Sequence, residues 1–129
     1  SKKVQIKINP LPEIYCYADR NALQLVVRNL ISNAIKFTHR NGLVLLDIEK
    51  KEKSCNILIQ DSGIGMNQET IKTLFQYRRE KISLGTNQEG GSGLGLYICK
   101  EFLEKMNGKI SVESESGKGS RFIIELPLA

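Results

Sequence analysis

The chain has 129 residues, of which 40% are hydrophobic and 26% are charged, and its formal net charge is +5. This size and balance are typical of one globular domain with a modest core, and no apolar run is long enough to cross a membrane as a helix. Because tryptophan is absent and acidic residues are interspersed among the basic ones, a nucleic-acid-binding surface is disfavoured.

Alternation of apolar and polar residues predicts six strands. In chain order they cover residues 4–8, 14–17, 43–49, 56–61, 109–114 and 120–126. The third and fourth strands follow the Asn41-Gly42 turn and are joined by a short charged segment, so we expect them to form a hairpin. The last two strands predict another hairpin across Gly117-Lys-Gly119.

Apolar residues at helical spacing predict three helices. Asp19 is a favourable N-cap for a long helix that runs to about Phe37, a short helix covers residues 67–76, and a second long helix covers residues 94–106. One face of the first helix is expected to be core: Leu23, Val26, Val27, Leu30, Ala34 and Phe37. Mixed helices and strands of this kind predict an α/β (α+β) two-layer sandwich, with helices on one face of a mixed sheet.

The cysteines are far apart, and each lies in an apolar pattern: Cys16, Cys55 and Cys99. We therefore expect reduced, buried thiols in a cytoplasmic setting, and no spacing typical of metal ligands is present. Residue 1 is serine rather than methionine, so we expect the sequence to be a segment of a longer protein.

The first long helix carries a polar stripe beside its apolar face. Asn29, Asn33 and Lys36 lie at i, i+4 and i+7. An asparagine oxygen can bind a hard cation such as Mg²⁺, and a lysine can meet a phosphate as a point charge. The alternative is an exposed polar face without a ligand.

The stretch DSGIGM, residues 61–66, directly follows a predicted strand. A carboxylate there can accept a hydrogen bond from the exocyclic amine of adenine, whereas guanine presents an oxygen at the same place. Asp61 is therefore a candidate for selecting adenine over guanine. The alternative is an ordinary Asp-Ser-Gly turn.

Four glycines lie just before or at the start of the second long helix, at positions 90, 91, 93 and 95. Glycine is a poor helix former, so this density indicates a sharp turn or the close approach of a ligand such as phosphate. The pattern matches neither the Walker nor the Rossmann phosphate loop. The preceding residues 77–91 are polar with little periodicity, which is typical of a functional lid.

The order of these motifs resembles the catalytic, ATP-binding domain of sensor histidine kinases, which shares the Bergerat (GHKL) fold with gyrase B, HSP90 and MutL. Residues 29–38 match the N box and residues 61–66 the G1 box. Phe75 lies where the F box falls, and residues 91–96 and 117–120 match the G2 box and the last glycine motif. The resemblance covers nearly the whole chain. It implies that residues 1–129 form a single domain in which about three helices cover a mostly antiparallel sheet.

The resemblance implies a role for each matching position. Asn33 would coordinate Mg²⁺ between the phosphates of ATP, with Asn29 close by, and Lys36 would contact phosphate. Asp61 would bind the adenine amine, and residues 77–91 would form the ATP lid. The remaining nucleotide-binding positions that it implies are Phe37, Gly63, Ile64, Gly65, Met66, Phe75, Gly91, Ser92, Gly93, Leu94, Gly95, Leu96 and Ser120.

The implied activity is transfer of the γ-phosphoryl group of ATP to a histidine on a separate dimerisation domain of a homodimeric parent, with a response regulator downstream. In hydrolysing relatives a glutamate that activates water precedes the Mg²⁺-binding asparagine by four residues, whereas this chain has Asn29 there. A carboxamide is not a useful general base. His39, the chain's one histidine, is expected to be an ordinary loop residue. Two alternatives remain open: a serine kinase of the anti-sigma type, and a non-catalytic module that senses ATP.

Overall fold

A computed structural model describes residues 3–10, 13–76 and 95–129. The described strands are β1 (Gln5–Ile8), β2 (Leu43–Lys50), β3 (Ser54–Asp61), β4 (Lys109–Glu115) and β5 (Gly119–Pro127), and the described helices are α1 (Arg20–Phe37), α2 (Gln68–Thr73) and α3 (Gly95–Lys105). The lid predicted at residues 77–91 lies outside the described ranges, as do the predicted site residues Gly91, Ser92, Gly93 and Leu94.

The strands form one sheet in the order β1-β2-β3-β5-β4. β1 pairs with β2 in parallel, and every other neighbouring pair is antiparallel. Helix α1 packs over β2 and β3, and α3 packs over β4 and beside α1. This arrangement confirms the predicted two-layer sandwich with a mixed, mostly antiparallel sheet, and it places the end of β3 next to the start of β5.

The strand predicted over residues 14–17 is wrong. Only an isolated bridge forms there, between Cys16 and Leu128. Two backbone hydrogen bonds flank it: the N–H of Tyr17 donates to the Pro127 carbonyl at 3.1 Å, and the N–H of Ala129 donates to the Tyr15 carbonyl at 2.8 Å. The alternation that suggested a strand reflects an extended segment with one side half-buried, which does not require a ladder of strand pairing.

Helix α1 begins and ends where its local signals predict. The Asp19 side chain accepts a hydrogen bond from the backbone N–H of Ala22 at 3.1 Å, so it satisfies one of the free donors of the first turn. At the other end, the buried Thr38 hydroxyl donates to the carbonyl of Ala34 at 2.5 Å. Both contacts are local to the helix and mark where it begins and ends.

The apolar face of α1 is buried along most of its length, with Val26, Leu30 and Ala34 inside the core. Phe37 is an exception: its side chain is 45% exposed, so its predicted place in the core is wrong. The physical reason is that the last turn of α1 extends beyond the part of the sheet that packs against the helix. It borders an open cavity rather than packed side chains.

The core lies between the helices and the facing sides of β3 and β5. Cys55 and Cys99 are buried in it as free thiols, whereas Cys16 is only half-buried. Burial raises the pKa of Cys99 to about 11, so this thiol stays protonated near neutral pH and acts as a small apolar side chain. Among the helices that the structure describes, none is long and apolar enough to cross a membrane.

Candidate functional site

A cavity of about 350 Å³ opens between the last turns of α1, the loop after β3 and the turn between β4 and β5. The described residues that line it are Asn33, Ala34, Phe37, Asp61, Ile64, Gly65, Met66, Asn67, Thr70, Leu74, Leu96, Ser116, Ser120 and Phe122. It thus brings together many of the predicted positions from four separate motifs. Its lining is mostly apolar with a few convergent polar groups, which is typical of a small-molecule site.

Asp61, the last residue of β3, lies at the bottom of this cavity and is only 5% exposed. Its Oδ1 accepts a hydrogen bond from the backbone N–H of Gly63 at 2.8 Å. Burial raises the pKa of the Asp61 carboxyl, and hydrogen bonds from the backbone of Gly63 and Ser120 oppose that rise. The carboxyl is therefore held in place and has remaining acceptor capacity for a ligand.

The loop after β3 is packed tightly against its neighbours through its glycines. Gly65 has φ +69°, and a Cβ there would overlap the backbone carbonyl of Glu115. A Cβ at Gly63 would overlap the carbonyl of Phe37 in the same way. The resemblance places both glycines among the nucleotide-binding positions; in the structure their missing side chains make room for the protein's own backbone.

The turn between β4 and β5 is bound to this loop by hydrogen bonds. The N–H of Gly117 donates to the Ile64 carbonyl at 2.7 Å, and the N–H of Met66 donates to the Ser114 hydroxyl at 2.9 Å. The Ser114 and Ser120 hydroxyls lie 2.8 Å apart. The base of the cavity is therefore a connected polar network rather than a set of independent side chains.

Helix α1 supplies the opposite wall. Asn33 and Phe37 line the cavity, and the ammonium of Lys36 lies 5.1 Å from the centre of the Phe37 ring. Asn29, one turn earlier, contacts the start of α3: a Cβ at Gly95 would lie 2.7 Å from its Nδ2. The missing side chain at Gly95 thus leaves room for the Asn29 amide where the two helices pack, and neither residue nor Lys36 is among the described lining residues.

Phe75, the predicted F-box residue, lies behind the cavity. Its ring meets the ring of Phe122 edge to face, with centroids 6.3 Å apart and an interplanar angle of 87°. Because Phe122 lines the cavity, Phe75 supports the site through this contact, while Leu96 of α3 reaches the lining directly.

Several lining residues were not predicted: Ala34, Asn67, Thr70, Leu74, Ser116 and Phe122. Asn67 carried a usable signal, because it is the N-cap of α2 and its Oδ1 accepts from the N–H of Thr70 at 2.8 Å. Phe122 reaches the cavity through the pairing of β5 with β3, and Thr70 and Leu74 reach it through the position of α2; no local pattern encodes either arrangement.

The donor set suits a magnesium ion that arrives with a phosphate ligand. The described part of the chain contains no group of three histidine, cysteine, aspartate or glutamate side chains able to hold a metal by themselves. The oxygen donor on the α1 side of the cavity is the amide of Asn33. Magnesium keeps several waters and is commonly held by one or two protein oxygens together with substrate phosphates, so these residues fit such an ion.

Comparison with known proteins gives consistent matches. Residues 18–129 match the family described as histidine kinase-, DNA gyrase B- and HSP90-like ATPase. The chain is 41% identical over 110 residues to the sensor protein GacS of Pseudomonas syringae pv. syringae, covering 82% of this chain and 12% of that protein. It is 37% identical over 126 residues to the autoinducer 2 sensor kinase/phosphatase LuxQ of Vibrio vulnificus (strain CMCP6), covering 93% of this chain and 15% of that protein. The chain therefore corresponds to a small part of these relatives.

Solved structures give the same result for the fold. The catalytic domain of the histidine kinase ThkA, in a nucleotide-free form, superposes with a TM-score of 0.76 at 26% identity, covering 97% of this chain and 79% of that one. Full-length ShkA in complex with AMPPNP superposes with a TM-score of 0.77 at 27% identity, covering 98% of this chain and 26% of that one.

Proposed function

The chain belongs to the family of histidine kinase-, DNA gyrase B- and HSP90-like ATPases, and from that premise we propose that it binds Mg-ATP and donates the γ-phosphoryl group to a histidine on a separate dimerisation domain. The matches to sensor kinases and to a histidine kinase catalytic domain confirm the resemblance found in the order of the motifs. A homodimeric parent, a downstream response regulator and a cytoplasmic location, where ATP is available, are parts of the same proposal.

The observation that carries this proposal is the buried carboxyl at the base of the cavity. Asp61 is 5% exposed and accepts from the backbone of Gly63 and Ser120, and its remaining lone pairs are available to a donor from the ligand. The exocyclic amine of adenine is such a donor. Apolar side chains around it, including Ile64, Met66 and Leu96, offer the flat faces of a purine a place to pack.

The phosphates of the nucleotide would extend along the last turns of α1. Asn33 would supply an amide oxygen to the magnesium ion, and the Lys36 ammonium, held near the Phe37 ring, would supply positive charge. When bound, the ion would supply neutralisation of phosphate charge. This chain's own residues would bind and orient the nucleotide, and orientation and charge neutralisation are the main requirements of phosphoryl transfer.

The residue types favour transfer to a histidine over hydrolysis. Among the described residues that line the cavity, Asp61 is the one carboxylate. We assign it to the adenine ring, so it would not lie beside the γ-phosphate to activate a water. Position 29, where the hydrolysing relatives carry a glutamate, is an asparagine whose amide occupies the space that a side chain at Gly95 would fill. An imidazole is itself a nucleophile and needs less activation than water.

We predict that the chain alone incorporates almost no phosphate. With the parent's histidine-bearing domain added, in trans or restored in cis, labelled ATP should yield an acid-labile, base-stable phosphohistidine on that added domain. The physical reason is that an acceptor must be docked in line before the positioning of ATP has any effect. Label on His39 of the chain alone would contradict the proposal, and label on a serine of the partner would favour the anti-sigma type of kinase.

We also predict that Asn33→Ala weakens the magnesium-dependent part of ATP binding by about tenfold, because one oxygen ligand and its hydrogen-bonding capacity are lost. Calorimetric titration of ATP with and without Mg²⁺ measures this directly. Ser32→Ala is a matched control, since Ser32 is the preceding residue of α1 and is exposed. An unchanged magnesium dependence in Asn33→Ala would assign the polar stripe to an ordinary solvated face.

A further inference from the structure

We propose that Ser114 fixes the Ser120 hydroxyl as a hydrogen-bond acceptor and thereby makes the site select a purine that carries an amine at position 6. The inference rests on the proposed function, because it concerns how the same cavity chooses its base. Ser114 was not among the predicted site residues, and it is not among the described residues that line the cavity. It is thus a positioning residue that acts through its neighbour.

Three residues lie in one row across the sheet. Ser114 of β4 pairs with Ser120 of β5, and Ser120 pairs in turn with Asp61 of β3. Directly paired residues project their side chains from the same face of a sheet. This row ends at the cavity, where Asp61 and Ser120 are both buried and both part of the lining.

The Ser114 hydroxyl is surrounded by three partners. Its oxygen lies 2.9 Å from the amide nitrogen of Met66, 2.9 Å from the carbonyl oxygen of Gly119 and 2.8 Å from the hydroxyl oxygen of Ser120. A hydroxyl has one proton to donate and two lone pairs with which to accept. An amide N–H can only donate, and a carbonyl oxygen can only accept.

A single arrangement of protons satisfies all three contacts. The Ser114 proton is donated to the carbonyl of Gly119, since that oxygen has no proton of its own. The two lone pairs of Ser114 then accept from the N–H of Met66 and from the O–H of Ser120. If Ser120 directed its proton elsewhere, two lone pairs would face each other at 2.8 Å in a half-buried site, which is unfavourable.

The consequence is that Ser120 presents only lone pairs to the cavity. Ionised Asp61 likewise can only accept, so two adjacent acceptors face the ligand. This pair favours the 6-amine of adenine and disfavours the 6-oxo group of hypoxanthine or guanine. A water held between the two acceptors would donate both of its protons to them and would itself accept from the base, so it would preserve the same preference.

The test compares ATP with inosine triphosphate, which differs in the base and keeps the same phosphates. Calorimetry on the 129-residue chain with Mg²⁺ gives the ratio of the two affinities. We expect Ser114→Ala to lower the preference for ATP by about fivefold to tenfold, because Ser120 regains a proton that it can donate to a 6-oxo group. Ser114→Thr keeps the hydroxyl and should keep the preference. Ser111→Ala, at an exposed serine of the same strand, should also keep it.

An equal loss of affinity for both nucleotides in Ser114→Ala would overturn the inference, because a merely structural role lowers both alike. An unchanged ratio would overturn it as well. Ser120→Ala removes the acceptor itself and must also lower the preference for ATP, which keeps the inference testable if Ser114→Ala does not fold. A wild-type chain that binds neither nucleotide would refute the proposed function instead, so the two failures are distinguishable.

Discussion

Replacing Asp61 by asparagine is expected to lower the affinity for ATP by about tenfold to a hundredfold while leaving the empty protein folded. The asparagine oxygen can still accept from the N–H of Gly63, but its amide nitrogen would turn a donor toward the donor amine of adenine. Loss of a hydrogen bond to a charged group costs about 1.5–3 kcal/mol, which corresponds to that range of affinity. Calorimetry with ATP and thermal unfolding of the empty protein measure the two quantities separately.

The pH dependence gives a second check on the same residue. Burial raises the pKa of Asp61 in the folded protein, so ionising this carboxyl destabilises the empty fold. The contribution of Asp61 to the free energy of unfolding should therefore fall as pH rises through that raised pKa. The proposed hydrogen bond to adenine is strongest with the ionised carboxylate, so ATP affinity should instead fall as pH is lowered through the same range. Both dependences should disappear in Asp61→Asn. They should persist in Asp47→Asn, a control at a half-buried position of β2. Equal ATP affinity in wild type and Asp61→Asn would refute the assignment.

Gly65→Ala is expected to destabilise the fold by about 2–4 kcal/mol, a larger loss of stability than Asn33→Ala or Asp61→Asn should cause. Gly65 has φ +69°, so alanine would be strained there regardless of space. Its Cβ would also overlap the carbonyl of Glu115 and force the loop after β3 away from the turn between β4 and β5. Urea unfolding measures the stability, and ATP affinity should fall with it because Asp61 starts this loop.

Gly117→Ala is the matched control, because it separates strain from overlap. Gly117 has φ +83°, yet a Cβ there would meet nothing within 4 Å. Alanine at this position should therefore cost only about 1–2 kcal/mol, the conformational part of the penalty. Equal losses in the two variants would mean that the contact between Gly65 and the Glu115 carbonyl does not constrain the loop.

Helix α1 could be predicted closely because its signals are local. Asp19 caps the first turn, the apolar spacing repeats without a break, and the helix ends at Phe37 as expected. The same reasoning failed for the side chain of Phe37, which is 45% exposed. Helical periodicity shows which direction a residue faces, but it does not show where the opposing layer stops.

The order of the strands could not be read from their patterns. Alternation identifies a strand and its buried side, whereas the choice of neighbour depends on the whole sheet. The segment around Cys16 alternates as a strand does and forms only one bridge, with Leu128. The placement of β5 between β3 and β4 likewise had no local signal.

The candidate site also contains residues with local signals and residues whose place depends on the whole sheet. Asp61, Asn33 and Ser120 belong to motifs with a recognisable order, so the sequence identified them, and the cavity contains all three. Ser114 and Phe122 contribute through the row and register in which β4, β5 and β3 pair. A sequence-based search for chemically suggestive motifs passes over such residues, because their importance comes from what they touch.

The interior position of β5 has a consequence for biosynthesis. β5 follows the other four strands in the chain, yet it lies between β3 and β4 and provides the contact between them. A nascent chain on the ribosome can therefore pair β2 with β3 as a hairpin, but Asp61 and Ser120 cannot meet until β5 has left the exit tunnel. Long-range pairing of this kind slows folding and leaves strand edges open to chaperones in the interval. The end of the cavity where Asp61 and Ser120 meet, to which we assign the adenine, should thus be completed only as β5 is added.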